Sequence, residues 1–518
     1  MLVSWCAVGV LLIVHLPTFL CLSLPNDTNL YDLIARRVLA GDTPYRDLMD
    51  VNFPGVVWIH MIVRSLFGWR PEVLRAFDFA VVSASAVLLV RWLPRSTPAW
   101  GRVLVGGVIL AFYLSTIEWC HCQRDPWMLL PCLIALQFRA AQTRRLSERL
   151  LGFPLFTWAI VEGATWGVAF WIKPYIAIPA LACWLASARL AFPSPGAGRR
   201  LAIDLGGLLL GGIAVGAIGI AWLIGAGAWP AFLEIMLQWN TEYIAFEVMD
   251  GPWWIRPVGL IVRFFPWMFV HMAAIPVALS SVLHGKRSPA APPMLSTFYL
   301  AWLLQAWALQ HMWDYIHVPT IMLGIAVLGC YGFARRKTRS VALALALLAV
   351  SAVLPSFKLG LQRCESWADC LNGGSTFAMR DKLARYGGPN WTDLERVADF
   401  LREQKVGDGE VSCFPLTTTS LYTALNIRPS TRHLFLHHHW SVFRSRRAAI
   451  LATLIDGRQR FVVCDLQVDE MRESKDDFGG ISPKNFGASR LVYRAGDYVV
   501  FRIDGREMPD WVESNFAR

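Results

Sequence analysis

Charge is what this sequence has little of. Only 17% of its 518 residues are Asp, Glu, Lys or Arg, and 55% are hydrophobic. A soluble protein of this size carries about 25% charged residues, so a single water-soluble globule is excluded. Nucleotide loops are missing too: the chain holds no GxGxxG and no Walker sequence, and no segment is assigned a nucleotide. A net charge of +11 is not accompanied by a stripe of Arg interleaved with aromatics, so no nucleic-acid partner is expected. The first apolar run, Leu2 to Leu24, has neither a basic flank nor a small-residue cleavage site. It reads as a retained first helix, not a removed leader. Cys120-His121-Cys122 has metal-ligand residue types, but the spacing suits no standard zinc site.

What is present is a succession of long apolar runs. A spanning helix needs about 20 mostly apolar residues, and runs at 2–24, 74–93, 102–118, 126–142, 153–172, 174–192, 203–225, 257–283, 294–309, 318–334 and 340–357 qualify. The run 53–68 is short and carries His60 and Arg64 four residues apart. It reads as an amphipathic helix lying at the membrane interface. Leaving it out of the count makes alternate short loops basic. One holds Arg91, Arg95 and Arg102; the next Arg139, Arg144, Arg145 and Arg149; then Arg189, Arg199 and Arg200; then Lys286 and Arg287; then Arg335, Arg336, Lys337 and Arg339. The positive-inside rule places these on the cytoplasmic side. The expected architecture is a polytopic α-helical membrane protein of about eleven spans with its N-terminus inside. The 24 Trp and 29 Phe suit interfacial anchoring in a cell membrane.

Two outer segments are long, 25–73 and 226–256, and long structured loops are usually functional. The second carries Glu234, Trp239, Glu242, Tyr243, Glu247, Asp250, Trp253 and Trp254 and reads as another interfacial helix. Charge spreads evenly only beyond about residue 360. The division is therefore a membrane module over 1–360 and an extracytoplasmic α/β domain over 361–518. In the latter, Thr392-Asp-Leu-Glu395 reads as a capping box opening a helix. Val411 to Phe414 and Arg460 to Asp465 read as strands, Arg446 to Ile455 as a helix, and 491–493 with 498–503 as a hairpin turning at Gly496. Most of the 11 Cys are lone residues in apolar runs. Cys364 and Cys370 flank a polar stretch, and a disulfide between them is one of two open outcomes.

Four polar clusters fall at the outer ends of spans. Asp27 follows the first run directly, in Asn26-Asp27-Thr28; it is either the N-cap of the next helix or an acid at the mouth of the bundle. Gln123-Arg124-Asp125-Pro126 opens another span, as a helix start with an interface anchor or as a phosphate ligand beside an acid. Lys173, in Lys173-Pro174-Tyr175, either snorkels to headgroups or meets a phosphate. The stretch from Gln310 to Pro319 holds His311, Asp314, Tyr315 and His317 with no basic neighbour; its histidines suit a metal or a headgroup. His437-His438-His439 reads as a solvated loop.

The ordered set of these features resembles the GT-C superfamily of membrane glycosyltransferases, which includes protein O-mannosyltransferases and the lipid A aminoarabinose transferase. The set comprises the acid after span one, Gly41-Asp-Thr-Pro-Tyr45-Arg-Asp47, Phe53-Pro54-Gly55, Phe67-Gly68 and Arg75, then the segments at 123–126, 173–175 and 310–319. The resemblance covers most of the chain. It implies transfer of a sugar from a polyprenyl phosphate to a glycan, lipid or protein acceptor, with membrane lipids as surroundings. It puts the catalytic base on Asp27 and an assisting acid on Asp125. Phosphate and substrate contacts would fall to Arg124 and Lys173, with Arg37, Tyr45, Arg46, Gln310, Tyr315 and His317 as further candidates. A divalent metal stays open. The chain departs from the pattern where a second first-loop acid is often found, since Asn26 and Thr28 flank Asp27, and Gly55 stands at a usual proline. Outside that family, a flippase of lipid-linked sugars or a non-catalytic membrane scaffold also fits an apolar bundle with a soluble domain.

Overall fold

The computed structural model describes residues 2–504 apart from 148–152, 193, 249–263, 285–291, 311–312, 335–337, 357–360, 385–387 and 468–488. Arg149, Asp250, Trp253, Trp254, Lys286, Arg287, His311, Arg335, Arg336 and Lys337 therefore lie outside the described residues.

The apolar runs are helices. They are α1 (Leu2–Cys21), α4 (Pro71–Val90), α5 (Ala99–Ser115), α6 (Arg124–Ser147), α7 (Phe153–Ile172), α8 (Ala177–Ala191), α9 (Ala197–Gly225), α12 (Phe269–His284), α13 (Pro293–Ala308), α14 (Asp314–Ala334) and α15 (Thr338–Ser356). Six of the described helices are long and apolar enough to cross a membrane. The architecture is a multi-pass helical membrane protein. Of the expected run 257–283, the described part is helical from Phe269. Helix α14 is buried on nearly every side and forms the axis of the bundle. Helices α7 and α9 touch backbone to backbone: a Cβ on Gly163 would stand 1.9 Å from the Leu208 carbonyl oxygen, and one on Gly211 2.0 Å from that of Ile160. Small residues at such crossings let helices approach where lipid supplies no hydrophobic drive.

Segment 25–73 holds two helices, α2 (Asn26–Leu39) and α3 (Gly55–Phe67). The side of α3 that carries His60 and Arg64, read as the polar side of an interfacial helix, packs inward. His60 and Arg64 are buried, and both bind the α2 carboxylate of Asp32, at 2.7 Å from His60 Nδ1 and 2.9 Å from Arg64 Nε. The opposite face, with Ile62, Leu66 and Phe67, is exposed. Two short helices, α10 (Trp229–Glu234) and α11 (Asn240–Val248), follow α9.

Beyond the bundle come α16 (Leu361–Gly373), α17 (Phe377–Leu383), α18 (Trp391–Glu403), α19 (Ser420–Leu425), α20 (Leu436–Val442) and α21 (Arg447–Ile455). Between and after the last four run β1 (Val411–Cys413), β2 (Phe461–Asp465), β3 (Ser489–Ala495) and β4 (Tyr498–Ile503), in the order β1-β2-β4-β3. The β1–β2 pair is parallel and the other two are antiparallel. Strand β2 is buried on both faces, which is why it reads as an unbroken apolar run. The cap of α18 is Asn390, whose side chain accepts from Asp393 N at 3.0 Å; the Thr392 hydroxyl turns to Asp381 instead. Cys364 and Cys370 lie six residues apart on one helix, α16. A rise of about 1.5 Å per residue puts their Cα atoms beyond disulfide reach. Cys370 is a free thiol packed beside Cys21 of α1.

The C-terminal part docks on the segment 25–73. Met49 N donates to Arg432 O at 2.8 Å, Arg36 Nη1 to Thr423 O at 3.0 Å, and Arg432 pairs with Glu234 at 3.0 Å. Apolar residues of α2, among them Leu30, Leu33 and Ile34, join one cluster with Leu421 and Tyr422 of α19.

Candidate active site

The site is assembled at the end of the bundle that carries 25–73. Pro25 cannot continue α1 and sets an extended turn, so α2 begins at Asn26 and Asp27 falls in its first turn. No side chain caps α2, so the N-cap alternative for Asp27 does not hold. Thr28 Oγ1 donates to Cys122 O at 3.1 Å, fastening this turn to the entry of α6. Arg124 and Asp125 are the first residues of α6.

The loop between α2 and α3 is tied to the same point. Tyr45, in the left-handed region at φ 66°, donates its hydroxyl to Asn52 O at 2.8 Å. Asn52 donates from its backbone N and its Nδ2 to Asp50 Oδ1, at 3.0 and 2.7 Å. The Arg124 guanidinium donates to Asn52 Oδ1 and stands 5.8 Å from the centre of the Tyr31 ring. Behind Arg124, Lys173 Nζ donates to both oxygens of Asp125, at 2.9 and 3.1 Å.

Two adjoining cavities result. The first, about 260 Å³, is lined by Asp27 and Asp50, by Trp119, and from the C-terminal part by Thr417 and His437–His439. The second, about 320 Å³, is lined by Phe53, Lys173, Tyr175, Ile178, Ile244 and Gln310 among others. Val51, Asn52, Arg124, Tyr243, Trp313 and Tyr315 line both and form the partition. One carboxylate-bearing chamber and one cation-bearing chamber thus share a guanidinium wall. Burial raises the Asp27 carboxyl above its ordinary value, with the Arg124 charge and Gln123 opposing. Burial likewise raises Asp50, to about 6, against the same guanidinium.

The chain matches no protein-family model and no curated protein. Solved structures do match. The crystal structure of ArnT from Cupriavidus metallidurans bound to undecaprenyl phosphate superposes with a TM-score of 0.53, at 14% identity, over 96% of this chain and 97% of that one. The oligosaccharyltransferase AglB from Archaeoglobus fulgidus, in complex with an inhibitory peptide and a dolichol-phosphate, gives 0.47 at 12% identity, over 98% of this chain and 74% of that one. The chain therefore shares the fold of ArnT along nearly the whole of both chains.

On this frame the expected residues divide into three groups. Asp27, Arg124, Lys173, Gln310 and Tyr315 line the cavities. Asp125 and Tyr45 stand behind the walls: Asp125 has no exposed surface and holds Lys173, and Tyr45 supports Asn52. Arg37, Arg46 and His317 are elsewhere. Arg37 pairs with Asp42 at 2.6 Å, Arg46 is exposed and pairs with Asp47, and His317 is buried within α14. Asp50 was missed. It lies in the expected segment, three residues before Phe53-Pro54, and an acid there was the one available signal. His437–His439 are another correction: they belong to α20 and line the first cavity, not a solvated loop. Nothing in a run of three histidines signals the packing that turns them inward. Among the described residues no group of three or more His, Cys, Asp or Glu gathers as metal ligands. Asp27 and Asp50 beside a guanidinium are a thin set for a divalent ion, so no step is routed through one.

Proposed function

We propose that this protein transfers a sugar from a polyprenyl-phosphate donor to an acceptor hydroxyl at the extracytoplasmic face of a cell membrane. The observation that carries the reading is the pair of adjoining chambers at the bundle mouth, one holding Asp27 and the other Lys173, with Arg124 between. The superposition on ArnT along nearly the whole of both chains supports it.

In this reading the donor phosphate lies in the second chamber, its prenyl tail in lipid. The acceptor enters the first chamber. Asp27 accepts the proton of the acceptor hydroxyl as that oxygen attacks the anomeric carbon. The bond from that carbon to the phosphate oxygen breaks, and the phosphate leaves with the electron pair. Arg124 and the Lys173 ammonium balance the charge that develops; Arg suits bidentate contact with phosphate. Asp125 positions the ammonium. Attack from the side opposite the leaving group inverts the anomeric configuration.

The test is direct. Purified full-length protein, a labelled polyprenyl-phosphate sugar and a membrane extract of acceptors are expected to yield labelled product, and Asp27→Asn to abolish it. Undiminished transfer by the variant removes Asp27 from the mechanism. Movement of the lipid across a vesicle without transfer replaces the enzyme by a flippase.

A further inference from the structure

Helix α2 has a second working face. Asp27 points into the chamber described above, but Asn29, Asp32 and Arg36 border a different cavity of about 230 Å³, between α2, α3 and the C-terminal part. Its apolar walls are Trp69, Phe377 and Trp391, and three guanidinium groups, Arg36, Arg64 and Arg380, border it.

The lining carries three guanidinium groups against one carboxylate. Asp32 is saturated by His60 and Arg64, which together hold it below its ordinary value despite burial. Arg36 spends Nη1 on the Thr423 carbonyl and the Asn426 amide oxygen, with its guanidinium 4.6 Å from the Trp69 ring centre. Arg380 donates to Ser375 Oγ and O, each at 3.1 Å, and lies 5.1 Å from the Trp391 ring centre. Among the described residues neither Arg36 nor Arg380 has an acid within salt-bridge distance. The acids near Arg380 are Glu72, Glu395 and Asp381; Glu72 accepts from Ser375 N at 2.8 Å and lies 3.6 Å from Arg70, and Asp381 accepts from Trp391 N and Thr392 N at 2.7 and 2.9 Å. Among the described residues two further groups in the wall have no hydrogen-bond partner: the Trp391 Nε1–H donor, on a side chain 3% exposed, and the Thr423 hydroxyl, able to donate or accept. Burying such groups without a partner is unfavourable, so a built cavity that keeps them is one that receives acceptor atoms.

The unfilled groups are thus donors and cations, the walls are aromatic, and the volume suits one small ring. We propose that this cavity binds an acidic sugar residue, carrying a carboxylate or a phosphate, at a site separate from the two chambers around Asp27. Guanidinium and indole N–H groups would grip the anion, and the aromatic walls the ring.

Isothermal titration of the full-length protein in detergent tests this with glucuronate, glucose 6-phosphate, glucose and inorganic phosphate. Glucuronate and glucose 6-phosphate are expected to bind saturably, and glucose not at all. Arg36→Gln and Arg380→Gln are each expected to weaken binding about tenfold, and Trp391→Phe severalfold. Asp27→Asn and Arg124→Gln are expected to leave it unchanged, which separates this site from the catalytic reading. Thermal melts establish that each variant folds, and Trp391→Phe decides the matter if Arg380→Gln does not. No saturable binding overturns the proposal. So does equal binding of glucose, inorganic phosphate binding as tightly as glucose 6-phosphate, or loss in Asp27→Asn with Arg36→Gln unaffected.

Discussion

Asp27 and Asp50 are both raised by burial beside Arg124, yet pH acts on them with opposite consequences. A general base works only when ionised. Burial raises the Asp27 carboxyl above its ordinary 3.8, so if Asp27 is the base, as proposed, kcat/KM for transfer is expected to fall on the acid side with an apparent pKa above 3.8. Asp27→Asn should lower kcat by about 10²- to 10⁴-fold, with donor KM little changed, as steady-state kinetics with labelled donor will show. Asp50 bears on stability. Its folded pKa of about 6 exceeds the ordinary 3.8, so its favourable contribution is complete below 3.8 and is lost as pH rises through about 6. Asp50→Asn should therefore raise the melting temperature at pH 8, by at most about 3 kcal/mol of stability. The gain should vanish near pH 4. A gain that grows toward acid would reverse the assignment. Asp27 was legible because it directly follows an apolar run. Asp50 was not, because a hydrogen-bonded turn through Asn52 and Tyr45 carries it to the same wall, and composition records no such turn.

At the scale of elements, α2 and α3 would aim the proposed chemistry. Asp32 clamps them from inside, with His60 and Arg64 buried against it. Removing one partner from a buried ion pair costs about 3–5 kcal/mol because the other charge is left dry. Asp32→Ala should thus lower the melting temperature strongly and lower transfer with it, since α2 carries Asp27. The four-residue spacing of His60 and Arg64 was legible as a polar stripe; its burial was not, because the carboxylate that receives it lies 28 and 32 residues earlier. The departure at Gly55 also has a reason. A Cβ there would lie 2.5 Å from the Trp171 carbonyl carbon and oxygen, backbone just before Lys173. Gly55→Val should push α3 off α7 and displace Lys173, raising donor KM about tenfold with less effect on acceptor KM. An unchanged donor KM would detach Lys173 from the phosphate chamber.

Across the whole molecule, apolar length made the helical runs legible, and loop charge supplied an expected orientation. It misjudged Arg139, which is not in a loop: it is fully buried in α6, bonding Glu162 at 2.6 Å and Asp204 at 2.8 Å. Counting Lys and Arg between runs cannot see acids that reach the same depth from two other helices. The docking of the C-terminal part was illegible for a like reason, since it rests on scattered pairs such as Arg432 with Glu234 and Met49 N with Arg432 O. That docking divides the work. The first chamber takes Pro415, Thr417, Phe435 and His437–His439 from the C-terminal part, while among the described residues the second takes none beyond Ile316. Substrates held in separate chambers should respond to separate mutations. Replacing Thr417 by Val together with His438 by Ala removes polar groups worth about 1 kcal/mol each. The pair should raise acceptor KM roughly thirtyfold and leave donor KM within about twofold, in the same labelled-donor assay at saturating levels of the other substrate. If both constants rise together, the C-terminal part is bracing the catalytic wall instead of selecting the acceptor.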